Sequence, residues 1–181
     1  MPAAQPIVIR RATIADAERA QALTRRTFTE TFGHLYPPDD LATFLRETYA
    51  LATFQRILSD DRFALWLLEQ DGTAIGHALA GPCSLPHDEV RPGDGEIQRL
   101  YILRTHHNGG WGAKLMRTAL DWLERNGPRT LWVGVWSQNH AAQRFYGRYG
   151  FVPVGSYLFP VGKTNDDEFI LRWPERQRAQ A

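Results

Sequence analysis

Disulfide chemistry is the first thing this sequence excludes: Cys83 is its single cysteine, so no bridge can form within the chain. That cysteine ends the apolar run AIGHALAGPC, where a buried structural thiol is expected. Lysine is nearly as scarce, present only at Lys114 and Lys163, so almost all the basic residues are arginine. Neither sign of charge is in excess. The 21 basic and 20 acidic residues leave a formal charge of +1, too balanced to suggest a nucleic-acid partner. No apolar run approaches the ~20 residues of a spanning helix, so no membrane span is expected. The amino end lacks a basic segment followed by an apolar one, so no secretory signal is expected and the cytoplasm is the default location. Repeats, low-complexity blocks and linkers are also missing.

What remains is a chain of 181 residues with an apolar fraction of 43% and an aromatic fraction of 12%, enough to bury one sizeable core. The pattern predicts a single domain over 1–181, with its core at about 7–173 and a polar tail at 174–181. IVIRRA (7–12) opens as a strand. Thr13, Asp16 and Glu18 start a helix that carries Ala17, Ala20, Leu23 and Phe28 on one face and stops at Gly33. Pro37-Pro38-Asp39-Asp40 opens a second helical region that LATFQRIL extends to about residue 58. RFALWLLEQ and AIGHALAG form strands joined at Asp71-Gly72. An acidic loop, PHDEVRPGDG, leads to a strand at 96–103, a glycine turn and a helix that ends at Asn126-Gly127-Pro128. TLWVGVW is a further strand, NHAAQRFYGRYG a short helix closed by Gly150, and FVPVGSYLFPVG and DDEFILRW are the last two strands. Hairpins beside a strand–helix–strand unit predict an α/β domain: a mixed, mostly antiparallel sheet of about seven strands flanked by helices.

The glycine turn, THHNGGWGAKL (105–115), lies between a strand and a helix, which is a phosphate-holding arrangement. The first amides of the helix have no partner within it, its dipole puts partial positive charge there, and glycines let an anion approach. A P-loop is excluded because Lys114 is followed by Leu115 rather than a hydroxyl residue. A dinucleotide fingerprint fails for want of a third glycine after Gly110-Trp111-Gly112.

The turn instead resembles the pyrophosphate-binding motif R/Q-x-x-G-x-G/A of the GNAT superfamily of N-acetyltransferases, with Gly110 and Gly112 in place and His107 at the first position. EIQRLYIL (96–103) is similar to the strand that precedes that motif in the family. NHAAQRFYGRYGF (139–151) matches its second motif, N-x-x-A-x-x-F-Y-x-x-x-G-F, at every fixed position. A narrower resemblance, to bacterial spermidine/spermine acetyltransferases, rests on TFTETF (27–32), LWVGVW, the Gly155–Phe159 stretch and Asp166-Asp167.

The resemblance implies acetyl-CoA as co-substrate, with His107, Asn108, Gly109, Gly110, Trp111 and Gly112 around its pyrophosphate. It also implies that Leu100, Tyr101 and Ile102 pair with the pantetheine arm and that Asn139 contacts the cofactor, in addition to capping its helix. Tyr146 would protonate the departing thiolate. Glu96 is the first candidate for the base that deprotonates the amine, directly or through water, and Asp94 is the alternative. No metal is expected, since the adjacent His106 and His107 point different ways and lack a third ligand at suitable spacing. Trp132 and Trp136 share one side of a strand and read as core. The expected activity is acetyl transfer to a small primary amine, possible acceptors including a polyamine. Protein or peptide amines and a non-catalytic CoA sensor are the alternatives. The expected state is a monomer or homodimer.

Overall fold

The computed structural model of the protein describes residues 6–174; the tail beyond 174 lies outside the described residues. Seven strands make one sheet: β1 (Val8–Arg11), β2 (Ala64–Gln70), β3 (Thr73–Pro82), β4 (Gly95–Ile102), β5 (Leu131–Trp136), β6 (Val152–Val161) and β7 (Thr164–Trp173). Their order across the sheet is β1-β2-β3-β4-β5-β7-β6. Every neighbouring pair is antiparallel except β4 and β5, which run parallel. The β2–β3 hairpin turns where Asp71-Gly72 predicts it, both residues having positive φ (50° and 73°), as a tight hairpin requires.

Helices cover both faces. Trp66 and Leu67 are neighbours on β2 and so face opposite ways. Trp66 meets Trp122 of α4 (Trp111–Leu123) edge-on at 5.9 Å. Leu67 pairs with His77 of β3, whose ring reaches Thr24 of α1 (Ala17–Phe32) at 3.3 Å. The α1 and α4 layers are thereby placed on opposite faces. At the first edge Arg10 ties β1 to the start of α1 and to β2, donating to Asp16 at 2.7 and 2.8 Å and to Glu69 at 2.8 and 2.9 Å.

The helical region predicted to run unbroken to residue 58 is two helices, α2 (Pro38–Thr48) and α3 (Leu51–Leu58). The break falls at Tyr49 and Ala50, the latter in extended backbone (ψ 147°). The break lets Tyr49 turn inward onto Phe28 and Phe44 (5.7 and 5.2 Å) while Phe54 is fully buried beyond it. A straight helix would carry one of these rings away from the core. The helix after the glycine turn also ends earlier than expected, at Leu123.

Two departures from regularity shape the middle of the sheet. The β4–β5 register covers only Gly95–Leu131 and Glu96–Trp132, after which the strands part. In addition, β4 carries a bulge: Leu79 opposes Arg99 but Ala80 opposes Ile97, leaving Gln98 as the extra residue. One added residue shifts the side-chain alternation, so Glu96 and Arg99, three apart, face the same side.

His77 is fully buried, and desolvation, with the Arg99 charge adding to it, lowers its pKa to about 3. In the unfolded chain it would titrate near 6.5, so below that pH the unfolded state binds the extra proton and stability falls as pH falls. This loss should total about 2 kcal/mol between roughly pH 7 and pH 5, at ~1.4 kcal/mol per unit below 6.5. Asp16 and Glu69, which Arg10 holds below the ordinary carboxylate range, weaken only at lower pH. Urea unfolding at the two pH values should show this slope in the parent and a flattened one in His77→Leu. An equal slope in both would remove His77 as its source.

Candidate functional site

Where β4 and β5 part, one cleft opens on the side of the glycine turn and another on the side of α1. The first, of about 400 Å³, is floored by Leu100, Tyr101 and Ile102 of β4 and walled by the start of α4 and by α5 (His140–Gly147). The amide of Leu103 donates to Ile75, so alternation turns the amides of Leu100 and Ile102 away from β3, toward the cleft. Among the described residues no strand meets them there. The turn that follows bends through two left-handed residues, Asn108 (φ 66°) and Gly110 (φ 74°), the latter being the residue before the first turn of α4. Among the described residues no side chain caps the helix. A Cβ on Gly109 would meet the Trp111 indole at 2.7 Å, so this position needs glycine for the turn itself. A Cβ on Gly112 would come only within 3.8 Å of Phe145, so here the missing side chain leaves cleft volume rather than relieving a clash. The helix amides, open glycines and positive dipole end form a cradle for an anion.

His107 lines this cleft, and its Nε2 lies 2.8 Å from the carbonyl of Ile102, tying the turn back to β4. Asn139 accepts from the amide of Ala142 at 3.0 Å, which makes it the N-cap of α5, and it also lines the cleft. Arg148 adds positive charge to the same wall. Tyr146, on α5, is buried among Phe145 and Phe151, and desolvation pushes its phenol well above its ordinary pKa. It is therefore a protonated phenol at neutral pH, able to donate.

The second pocket, about 340 Å³, is walled by rings of α1, Tyr36, Tyr49, Trp136, Tyr157 and Phe159, and it holds Glu96, Arg99, Asp166 and Glu168. Glu96 is 6% exposed and accepts from the amide and hydroxyl of Ser84 at 2.8 and 3.1 Å. Burial raises its pKa, and the Ser84 donors partly oppose that rise. Glu168 is likewise raised by burial and accepts from Tyr157 at 2.6 Å. Asp166 accepts from the Tyr36 hydroxyl. Gly134 of β5 makes this crossing possible: a Cβ there would lie 2.9 Å from the Tyr157 hydroxyl and 3.0 Å from Glu168. A narrow passage of about 70 Å³ lies between the two spaces and shares walls with both, Tyr101 and Tyr146 with the cleft and Arg99, Gly134 and Glu168 with the pocket.

The structure thus puts Tyr146 and Asn139 on the wall of the passage, Glu96 in the pocket on one side of it and the glycine turn in the cleft on the other. Asp94 does not join them. It accepts from the Trp132 indole at 2.8 Å and the Arg91 amide at 3.0 Å, and it borders a separate space lined by Arg62, Arg125 and Arg129. Glu89 of the acidic loop pairs with Arg172, and Asp88 and Asp167 are exposed. Trp132 is buried, but with Leu85 and Ile170 in a satellite cluster, while Trp136 packs edge-on against Phe32 at 6.0 Å. Cys83 is half-buried rather than closed off, its thiol pushed up to about 12 by burial. His106 faces Gln70 at 3.1 Å, and no cluster suited to a metal occurs among the described residues. Sequence reasoning missed Arg99, Tyr36, Gly134 and the pairing of Glu168 with Tyr157. Only Gly134, an isolated glycine in a strand, carried a usable signal of close approach.

The chain matches the family model described as acetyltransferase (GNAT) family over residues 21–151. An uncharacterised N-acetyltransferase of Mycobacterium tuberculosis is 31% identical over 162 residues, covering 87% of this chain and 97% of that one. Another, of Lactobacillus delbrueckii subsp. lactis, is 28% identical over 151 residues, covering 83% and 87%. Among solved structures, the PaiA N-acetyltransferase of Thermoplasma acidophilum in complex with coenzyme A superposes with a TM-score of 0.75 at 20% identity, over 95% of this chain and all (100%) of that one. YncA of Salmonella typhimurium, with its cofactor acetyl-CoA, does so at 0.70 and 20%, over 98% of each. At those identities the superpositions speak for the fold.

Proposed function

The chain belongs to the GNAT family of acetyltransferases, and on that premise we propose that it transfers an acetyl group from acetyl-CoA to a primary amine by direct attack in a ternary complex. The observation that carries this reading is the passage between β4 and β5, which has Tyr146 on its wall and lies between the cleft of the anion cradle and the carboxylate-bearing pocket.

The residues of the first cleft fit coenzyme A. Uncapped amides at the start of α4, with Gly110 and Gly112 leaving them open, would hold the pyrophosphate. The free edge of β4 at Leu100–Ile102 would hold the pantetheine arm as an added strand. Bound acetyl-CoA supplies an activated acyl group. The amide of Ile102 or Leu100 would donate to the developing oxyanion, worth ~3 kcal/mol for one well-placed donor. Glu96 would take the amine proton through water, since it borders the pocket rather than the passage, and Tyr146 would give its proton to the leaving sulfur. One C–N bond forms, one C–S bond breaks, and one proton moves at each end. Glu168 borders both spaces and is the second carboxylate able to serve as base. Of the acidic residues that suggested a polyamine acceptor, Glu96, Asp166 and Glu168 line the pocket; Asp88, Glu89, Asp94 and Asp167 do not.

Gly112→Asp puts bulk and negative charge in the cradle and is expected to weaken acetyl-CoA binding at least tenfold, ~1.4 kcal/mol, by calorimetry. Unchanged affinity in the folded variant would move the cofactor elsewhere. If acetyl-CoA binds the parent but no amine releases CoA, the non-catalytic sensor takes the place of the enzyme.

Tyr146→Phe is expected to lower kcat ~100-fold with little change in KM for acetyl-CoA, because the proton it supplies is needed only as sulfur leaves. A parental kcat, where chemistry limits the rate, would falsify that role.

For Glu96 the expectation concerns pH. Its burial raises the pKa, so the activity of the parent should climb with pH through a limb lying above the ordinary carboxylate range. In Glu96→Gln that limb should vanish, with kcat at least ~10-fold lower. If Glu168→Gln abolishes the limb and Glu96→Gln does not, the base is Glu168.

A further inference from the structure

The charges facing the acceptor pocket are of both signs, and one of them keeps a buried donor without an acceptor among the described residues. Each carboxylate has a donor: Ser84 for Glu96, Tyr157 for Glu168, Tyr36 for Asp166. Arg99 differs. Its guanidinium carbon lies 4.8 Å from the ring centre of Tyr49 and 5.5 Å from that of Phe54, stacked against apolar surface. Its Nη1 is closed to solvent and has no hydrogen-bond partner among the described residues. None of the ion pairs among those residues includes it. A guanidinium nitrogen closed to water without an acceptor is unfavourable, and an incoming anion would offset that cost through a charge-assisted hydrogen bond.

The position of Arg99 follows from the bulge at Gln98, which turns it to the same face as Glu96. Arg99 and Glu168 both border the passage as well as the pocket, on opposite walls formed by β4 and β7. A ligand reaching the passage therefore meets a cationic group and an anionic one together. A polycation would satisfy the carboxylates but would set a further ammonium against an unpaired guanidinium. A zwitterion satisfies both.

Resting on the acetyltransferase reading, we propose that the acceptor is a primary amine carrying an anionic group, in the simplest case a carboxylate, which seats on the guanidinium of Arg99 while the amine is drawn to Glu96 and Glu168.

The test compares ω-amino acids, from glycine up to aminohexanoate, with α,ω-diamines of matched length, in which a second ammonium replaces the carboxylate. Binding to the CoA-saturated protein is measured by calorimetry, and CoA release from acetyl-CoA is followed with the same compounds. At one or more lengths the amino acid should bind at least about tenfold more tightly than its diamine, the range for a hydrogen bond to a charged group. Arg99→Gln should remove that preference and Arg99→Lys should keep part of it, with acetyl-CoA affinity as the folding control. Equal or tighter binding of the diamine at every length, or no binding of any amino acid, overturns the proposal even if neither variant folds. A folded Arg99→Gln protein that keeps the preference overturns it too. If the diamines are acetylated and the amino acids are not, the acceptor class is wrong and the acetyltransferase reading stands. If acetyl-CoA itself fails to bind, that reading falls first.

Discussion

Parallel pairing between β4 and β5 ends after Glu96 and Trp132, although both strands continue. Backbone groups that leave a ladder inside a protein must find other partners or remain costly. Here the two strands diverge around a space instead, and much else is arranged to suit that divergence. The α4 crossover that makes the pair parallel also brings its own uncapped amino end to the mouth of the gap. Gly134 removes the side chain that would keep Glu168 and Tyr157 out of it. On the other wall, α5 presents Tyr146 from a helix whose start is fixed by Asn139.

The chain uses its arginines in two opposed ways. At the first edge of the sheet Arg10 is fully engaged, and it holds Asp16 and Glu69 ionised while joining three elements. At the site the acids are given neutral donors, serine and tyrosine, and burial acts against their ionisation. Carboxylates of the first kind stabilise a fold. Those of the second kind hold their charge less firmly and take up a proton more readily, because burial raises their pKa.

What could be read in the sequence was whatever lay close together along it. The glycine turn and the Asn139–Phe151 motif are contiguous, and both fall where local chemistry and family resemblance put them. Seven strands and their hairpins were legible for the same reason. The break at Tyr49 was not, because LATFQRIL keeps helical periodicity on both sides of it and only the demand of the core for two rings bends the chain. The second pocket was legible in part: Glu96, singled out from the sequence, lines it, while Arg99, Tyr36 and Tyr157 come from separate segments and meet only on assembly. Asp94 has the same parity as Glu96, and nothing local reveals that a tryptophan indole claims it.

The bulge in β4 also bears on how such a chain can change over generations. Gln98 donates to the Pro82 carbonyl at 3.2 Å and borders the pocket, so another polar side chain could take its place. The irregularity itself is another matter. If the strand regained an unbroken ladder with every residue kept, Glu96 and Arg99, three apart, would fall on opposite faces of the sheet. Along this strand, lineages are free to change letters but not to straighten the chain.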